Sequence, residues 1–315
     1  MKYRKMGTSD IEVSVIGQGT WAFGGDFFGD VDAELGIKAI HKSIELGVNL
    51  VDTAPAYGPN CDSEKLVGKA LKGLRDKVVL TTKFGTFRYG PAYVNSLDPD
   101  VIRQQLESSL KNLGTDYIDI YMIHWPDYNK GIEGGLQMLA DLKKEGKIRL
   151  AAVSNFSVDQ IKVAEEIAGI QCVQPPCNLF NRSSFDNGII PYCASKNIGI
   201  MTYGSLGGGI LTGTLKKPIV NGGSEQRNGF YDFFNEPMWT NCNKVLDVLR
   251  EIAANRGVSV AEVSINWVLA QPGVTTALLG TTTPEMAVQN AAAAEWDLTQ
   301  EELDLINAKY AEYMA

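Results

Sequence analysis

The chain has 315 residues, of which 44% are hydrophobic and 21% charged, a composition typical of a globular protein with one large α/β domain or two small ones. Acidic residues outnumber basic ones by 37 to 29, so the formal net charge is −8. The two signs are interspersed along the chain, which excludes the basic stripe of a nucleic-acid-binding protein and favours a soluble one.

The sequence contains no pattern that predicts export or insertion into a membrane. Residues 48–54 and 268–280, the longest apolar runs, are interrupted too often to span a bilayer, and residues 1–5 lead into polar residues rather than a signal core. Five cysteines, an odd count without paired CxxC spacing, favour reduced thiols over a disulfide framework or a metal site. We therefore expect a cytoplasmic protein with neither a membrane nor a nucleic-acid partner and no bound metal.

The chain begins with a predicted hairpin and then alternates short apolar runs with longer segments of helical period. The hairpin strands are residues 2–6 and 11–16. The strand candidates that follow are residues 15–19, 48–52, 78–83, 118–123, 148–153, 171–174, 199–203 and 275–279. The helix candidates are residues 33–46, 63–72, 99–113, 134–145, 157–167 and 186–196. Predicted helix caps are Asp98, Ser157, Gly47, Gly114 and Gly146.

This alternation predicts a parallel sheet covered by helices, either open and doubly wound or closed into a barrel. The open dinucleotide-binding sheet requires G-x-G-x-x-G after its first strand, whereas Gly17-Gln18-Gly19 is followed here by Thr20-Trp21-Ala22. We therefore favour a (β/α)8 barrel that comprises residues 1–315 as a single domain. Residues 204–240, rich in glycine and aromatic residues, form one long irregular loop after the seventh strand and are typical of a functional lid.

Active groups of such barrels lie at the carboxyl ends of the strands, and several polar residues end the apolar runs of this chain. They are Asp52, Lys83, His124, Ser154 and Asn155, with Tyr57 just beyond Asp52. Each has an ordinary alternative, because a strand-end Asp is usually a cap, a Lys usually solvated and a Tyr usually packed in the core. Four titratable groups at one rim nevertheless exceed what capping or solubility requires, which indicates a catalytic site.

The short motifs around these residues resemble those of the aldo-keto reductase superfamily, in particular its bacterial members that act on sugars, polyols or small aldehydes. The matching strings run through nearly the whole chain. They are Val51-Asp52-Thr53-Ala54-x-x-Tyr57-Gly58, Ser63-Glu64, Thr82-Lys83, Asp116-Tyr117-Ile118-Asp119, Lys147-Ile148-Arg149, Ser154-Asn155-Phe156, residues 178–182, and Tyr203-Gly204-Ser205-Leu206.

The resemblance implies a TIM barrel whose amino-terminal hairpin closes the bottom, and a catalytic tetrad of Asp52, Tyr57, Lys83 and His124. The expected activity is hydride transfer between a nicotinamide and a carbonyl carbon, with Tyr57 as the general acid or base. A lysine ammonium favours the phenolate, so we expect Lys83 to lower the pKa of Tyr57 and Asp52 to keep Lys83 charged. His124 is expected to orient the substrate.

The resemblance also implies a cofactor site. Ser154, Asn155 and Gln174 would hold the nicotinamide carboxamide, and Tyr203 would stack on the ring. The remaining residues expected to bind the cofactor are Gly19, Thr20, Trp21, Gly204, Ser205, Leu206, Gly208, Arg227, Gly280, Thr282, Gln289 and Asn290. The family implies NADP(H), but Gly280, Thr282 and Met286 stand where relatives carry a cation for the 2′-phosphate, so NAD(H) or dual use stays open.

The substrate is expected to contact Trp21, Tyr57, His124 and Trp125. Further aromatic residues predicted at the mouth are Phe23, Phe27, Phe28, Phe84, Tyr89 and those within residues 230–239. Aromatic walls with few charges favour a neutral aldehyde, ketone, sugar or polyol, bound by a monomer or a homo-oligomer. Two alternatives stay open: a cofactor-binding regulatory subunit of the channel β-subunit type, and a Schiff-base aldolase that uses Lys83. The chain starts directly at the predicted hairpin, which favours the enzyme over the regulatory subunit.

Overall fold

A closed barrel of eight parallel strands lies at the centre of the protein, for which a computed structural model describes residues 1–89 and 92–314. The strands of the chain are β1 (Tyr3–Lys5), β2 (Glu12–Ser14), β3 (Ile16–Gly19), β4 (Leu50–Asp52), β5 (Val79–Phe84), β6 (Thr86–Tyr89), β7 (Ala92–Asn95), β8 (Ile118–Ile123), β9 (Ile148–Ser154), β10 (Cys172–Gln174), β11 (Gly199–Thr202) and β12 (Val274–Gly280). Around the barrel the order is β3, β4, β5, β8, β9, β10, β11 and β12, and β12 pairs with β3. The predicted (β/α)8 barrel is confirmed and the open sheet is excluded.

Helices surround the barrel. They are α1 (Ala33–Glu45), α2 (Asp62–Ala70), α3 (Pro99–Leu113), α4 (Glu133–Lys144), α5 (Val158–Ala168), α6 (Ser183–Asp186), α7 (Ile189–Lys196), α8 (Met238–Arg256), α9 (Val260–Leu269), α10 (Pro284–Ala292) and α11 (Gln300–Met314). Within the described residues, no helix combines the length and the apolar character that a bilayer span requires.

Local sequence signals explain where several helices begin and end. The Asp98 side chain accepts a hydrogen bond from the backbone of Asp100, and Ser157 forms a capping box with Gln160. Gly114 ends α3 in the left-handed conformation, at a φ of 66°. The single helix predicted over residues 186–196 is wrong, because Gly188 adopts a φ of 80° and separates α6 from α7.

The amino-terminal hairpin of β1 and β2 closes the bottom of the barrel, as predicted. Met6, Ile11 and Val13 are almost completely buried and pack against side chains inside the barrel, including Leu150 and Met201. Burying these apolar side chains removes the lower opening of the barrel from water. Access to the barrel interior is therefore left to the opposite rim, where the strands end.

Two segments lie over that carboxyl rim. One is the predicted long loop, which contains short 3-10 turns at Gly207–Thr212, Arg227–Gly229 and Asp232–Phe234 and ends earlier than expected because α8 begins at Met238. Its backbone bonds to the loop after β3 through Gln226 N to Phe27 O, at 3.0 Å. The other is the antiparallel hairpin of β6 and β7, which the sequence reading did not predict.

Candidate active site

The four predicted catalytic side chains converge at the carboxyl rim of three neighbouring barrel strands. Asp52 ends β4, Lys83 lies near the end of β5, and His124 directly follows β8. Tyr57 lies in the loop after β4. Because parallel strands end at the same edge of a barrel, residues far apart in sequence lie side by side here.

Lys83 forms the centre of the cluster. Its side chain is completely buried, and Nζ lies 2.9 and 2.7 Å from the two carboxylate oxygens of Asp52. Nζ also donates to the backbone oxygen of Thr53 at 2.9 Å and to the Tyr57 hydroxyl at 3.1 Å. The Gln174 amide donates to Asp52 Oδ1 at 2.9 Å. The Asp52 carboxylate and the Thr53 carbonyl thus accept hydrogen bonds from the Lys83 ammonium, and a further N–H group of the ammonium is directed at the Tyr57 hydroxyl.

Burial governs the pKa values of this cluster. Desolvation, with a smaller contribution from the Asp52 carboxylate, raises the pKa of Tyr57 well above its usual value. This direction is opposite to the lowered pKa that we expected beside Lys83, because desolvation of the phenol has the largest effect. Burial also lowers the pKa of Lys83 and raises the pKa of Asp52, and their ion pair opposes both shifts.

His124 is kept neutral by its surroundings. Desolvation first, and the positive charge of Lys83 second, hold the pKa of His124 well below its usual value. Its ring lies edge-on to Tyr57, with centroids 5.7 Å apart. A neutral imidazole beside the phenol can donate or accept a hydrogen bond without adding charge to the site.

Two cavities meet at Tyr57. The first has a volume of about 310 Å³ and is lined by His124, Trp125 and aromatic side chains of the rim loops. The second has a volume of about 320 Å³ and extends between the loops after β3, β11 and β12. Trp21, Tyr57 and Tyr203 line both cavities, so the Tyr57 side chain lies between them.

The residues predicted for the carboxamide and the ring line the first cavity: Ser154, Asn155, Gln174 and Tyr203. They are bonded to one another, since Ser154 Oγ donates to Gln174 O at 2.8 Å and the Tyr203 hydroxyl donates to Asn155 Oδ1 at 2.8 Å. Asn155 adopts a φ of 61°, in the left-handed region. That conformation lets its amide nitrogen donate to His124 O at 2.9 Å.

Most residues predicted for the rest of the cofactor line the second cavity. They are Gly19, Thr20, Trp21, Gly204, Ser205, Leu206, Gly208, Arg227, Gly280 and Thr282. Gly208 has a φ of 61°, and a Cβ added there would lie 2.7 Å from the Tyr231 ring, so only glycine fits without displacing that ring. Gly204, Gly208 and Gly209 thus line the second cavity without a side chain.

Three predicted cofactor residues are bonded within the protein or exposed. Arg227, which lines the second cavity, forms a bidentate ion pair with Glu225, at 2.9 and 2.5 Å, and donates to Gly208 O at 2.7 Å. Gln289 is exposed on α10, and Asn290 is buried with its amide bonded to Thr281 Oγ1 at 2.9 Å. Neither Gln289 nor Asn290 lines a cavity described here.

The predicted aromatic wall is divided among three environments. Trp21, Phe27, Trp125 and Phe230 line the first cavity, whereas Phe28 lines the second. Phe23 and Phe84 are buried in the core. The side chain of Tyr89 lies outside the described residues.

The sequence reading missed four residues that line the first cavity: Ala56, next to Tyr57, and Thr86, Tyr93 and Asn95 on the hairpin of β6 and β7. Alternating side chains in residues 86–95 were the available signal for this hairpin.

The fold and the cluster together define a class of parallel barrel protein in which an ammonium, a carboxylate, a phenol and an imidazole border two cavities. The Aldo/keto reductase family model matches residues 15–311. The aldo-keto reductase YhdN of Bacillus subtilis is 37% identical over 311 residues, which cover 98% of this chain and 93% of that protein. The NADH-specific methylglyoxal reductase of Escherichia coli is 33% identical, with 97% of each chain covered.

Among solved structures, a glycerol dehydrogenase from Gluconobacter oxydans superposes with a TM-score of 0.90 at 33% identity, covering 99% of this chain and 96% of that one. The chain therefore belongs to the aldo/keto reductase family. The resemblance found in the sequence is confirmed, and the protein is an oxidoreductase of that family.

Proposed function

We propose that the protein transfers a hydride between a nicotinamide cofactor and the carbonyl carbon of a small neutral aldehyde or ketone, or the corresponding alcohol in reverse, with Tyr57 as the general acid or base. The observation that carries this proposal is the position of Tyr57, whose hydroxyl lies 3.1 Å from Lys83 Nζ and whose side chain lines both cavities. One cavity would take the carbonyl compound and the other the body of the nucleotide.

The residues present fit a nicotinamide dinucleotide. Gly204, Gly208 and Gly209 line the second cavity without a side chain, and the amino terminus of α10 is capped by Thr283; backbone N–H groups at both places would donate to phosphate oxygens. Ser154, Asn155 and Gln174 would hold the carboxamide, and Tyr203 would lie against the ring. When bound, this cofactor supplies or accepts the hydride.

In reduction, Tyr57 would donate its proton to the substrate oxygen as negative charge develops there. A positioned general acid typically contributes about 10² to 10⁴ in rate. Lys83 would stabilise the phenolate left behind, and Asp52 would balance the charge of Lys83 inside the barrel. Neutral His124 would orient the carbonyl oxygen toward the phenol.

This assignment predicts different pH profiles for the two directions. Because the pKa of Tyr57 is raised, the phenol keeps its proton from neutral pH to about pH 9, so the rate of reduction is expected to stay nearly flat there. Oxidation needs the phenolate and is expected to accelerate as pH rises. Turnover measured in both directions tests this, and a rate of reduction that falls tenfold across the range contradicts it.

We further propose a preference for NAD(H). Among the described residues that line the second cavity, Arg227 is the one cation, and Glu225 neutralises it. Asp30 adds a carboxylate to the lining, and Gly280, Thr282 and Met286 carry no charge. A 2′-phosphate carries nearly two negative charges and needs a charge-assisted partner. The relative in Escherichia coli is named as NADH-specific, which supports this preference.

Paired fluorescence titrations with NADH and NADPH test the preference. We expect the wild-type protein to bind NADH more tightly, and Met286→Arg to strengthen NADPH binding by about tenfold to a hundredfold through one charge-assisted hydrogen bond. Met286→Gln, similar in length but uncharged, is the control and should not change the ratio. Tighter binding of NADPH by the wild-type protein would contradict the preference and show that a cation outside this lining binds the 2′-phosphate.

The two alternatives from the sequence reading receive less support. A Schiff-base lysine must present a neutral, accessible amine, whereas Lys83 Nζ is buried and engaged with Asp52, Thr53 and Tyr57. A regulatory subunit would bind nucleotide without turning over a carbonyl compound. Turnover of a small aldehyde with the bound cofactor therefore separates the enzyme from that alternative.

A further inference from the structure

A cross-strand pair on the rim hairpin adds polar groups to the first cavity. Thr86 and Asn95 are direct partners in the register of β6 and β7, so their side chains lie on the same face of the hairpin. Thr86 Oγ1 donates to Asn95 Oδ1 at 3.0 Å, and both residues line the cavity that contains Tyr57 and His124.

Hydrogen bonds from the neighbouring backbone and from Gln105 hold the pair in place. Gly85 N donates to the side-chain oxygen of Gln105, on α3, at 2.9 Å, and the Gln105 amide donates back to Thr86 O at 3.3 Å. Ser96 N donates to Gly85 O at 2.8 Å and joins the two ends of the hairpin. Thr86 is 4% exposed. The hydroxyl and the amide therefore have fixed positions before a ligand arrives, which favours specific recognition.

The surroundings of the pair explain what it can recognise. The aromatic rings of Phe27, Trp125 and Phe230 line the same cavity as the pair. Within the described part of the chain, no charged side chain lines this cavity. With its oxygen engaged by Thr86, the Asn95 amide nitrogen has no hydrogen-bond acceptor among the described residues. Asn95 is half-buried and lines the cavity, so its amide nitrogen is a donor that an oxygen atom of a ligand there can accept from.

We propose that the Asn95 amide nitrogen, positioned by Thr86, donates to a second oxygen of the substrate, so that the enzyme selects small neutral carbonyl compounds with a hydroxyl or another carbonyl oxygen over plain alkyl aldehydes. This inference rests on the proposed carbonyl reduction and names its substrate class. Tyr57 and His124 hold the reacting oxygen, and the hairpin holds the other one. A site that hydrogen-bonds a substrate group rejects the analogue that lacks it, because its own polar groups are then left unpaired.

The test compares three-carbon aldehydes. Glyceraldehyde carries two hydroxyls, methylglyoxal carries a second carbonyl, and propanal carries neither. In the wild-type protein, kcat/KM is expected to be higher for the first two than for propanal. In Asn95→Leu and in the isosteric Thr86→Val, the ratio of kcat/KM for glyceraldehyde to that for propanal is expected to fall by about tenfold to a hundredfold, the effect of leaving a polar group unpaired. The kcat/KM for methylglyoxal in the same variants shows whether a carbonyl oxygen takes the place of the hydroxyl in this hydrogen bond.

The controls separate recognition from damage to the hairpin. Val94 lies on β7 between the cavity-facing positions and is exposed, so Val94→Ala should leave the substrate ratio unchanged. Thr86→Ser retains the hydroxyl and should retain the preference, and Thr86→Val carries the test if Asn95→Leu does not fold. Unchanged ratios in both Asn95→Leu and Thr86→Val would overturn the inference alone. Wild-type protein that reduces none of the three aldehydes would overturn the proposed function and the inference together.

Discussion

Replacement of Tyr57 by phenylalanine is expected to lower the rate of carbonyl reduction by about 10² to 10⁴, the contribution of a positioned general acid. The ring remains and keeps its packing against Trp21, at a centroid distance of 5.9 Å, but the hydroxyl that Lys83 faces is lost. Since that hydroxyl is not expected to hold the cofactor, nucleotide affinity should change little. Single-turnover kinetics and fluorescence titration of the same preparation measure the two effects separately.

The matched control is Tyr128→Phe, which removes a phenol that is 74% exposed and lines neither described cavity. Its turnover is expected to equal that of the wild-type protein. If Tyr57→Phe retained most of its turnover, Tyr57 would be removed from the mechanism. A large loss of nucleotide affinity in Tyr57→Phe would instead assign the phenol to cofactor binding.

Asp52→Asn is expected to destabilise the fold by about 3–5 kcal/mol, because it leaves the completely buried ammonium of Lys83 without its counter-ion. The double variant Asp52→Asn with Lys83→Met removes both charges and should recover a large part of that loss. Denaturant unfolding followed by circular dichroism gives the free energy of unfolding of each variant. A loss of less than about 1 kcal/mol in Asp52→Asn would indicate that water reaches Lys83 and that the pair is not desolvated.

The same variant has a predictable pH dependence. Burial already lowers the pKa of Lys83, and without Asp52 nothing of comparable strength opposes that shift. The unfolded chain then binds the lysine proton more strongly than the folded one, so the stability of Asp52→Asn should rise with pH toward the usual lysine pKa of about 10.4. The double variant, which lacks the lysine, should not show this rise.

The barrel was predictable because its signals are local. A parallel strand buried on both faces reads as a short apolar run, and the polar residue that ends it lies at the carboxyl rim whatever the rest of the chain does. Strand ends therefore predict Asp52, Lys83 and His124 at one edge of the barrel. The helix predicted over residues 186–196 is interrupted because Gly188 changes the backbone direction between α6 and α7.

The amino-acid sequence by itself determined the alternation of strands and helices, the amino-terminal hairpin and the set of polar residues at the rim, since periodicity and strand ends depend on neighbours along the chain. That the hairpin closes the base of the barrel followed from the resemblance to the aldo-keto reductases. Only the tertiary structure decided that burial raises the pKa of Tyr57, that Arg227 is ion-paired with Glu225, and that Thr86 and Asn95 line the first cavity. The physical reason is that desolvation, ion pairing and cavity lining depend on groups brought together from distant parts of the chain. No pattern along the sequence specifies which of those groups meet.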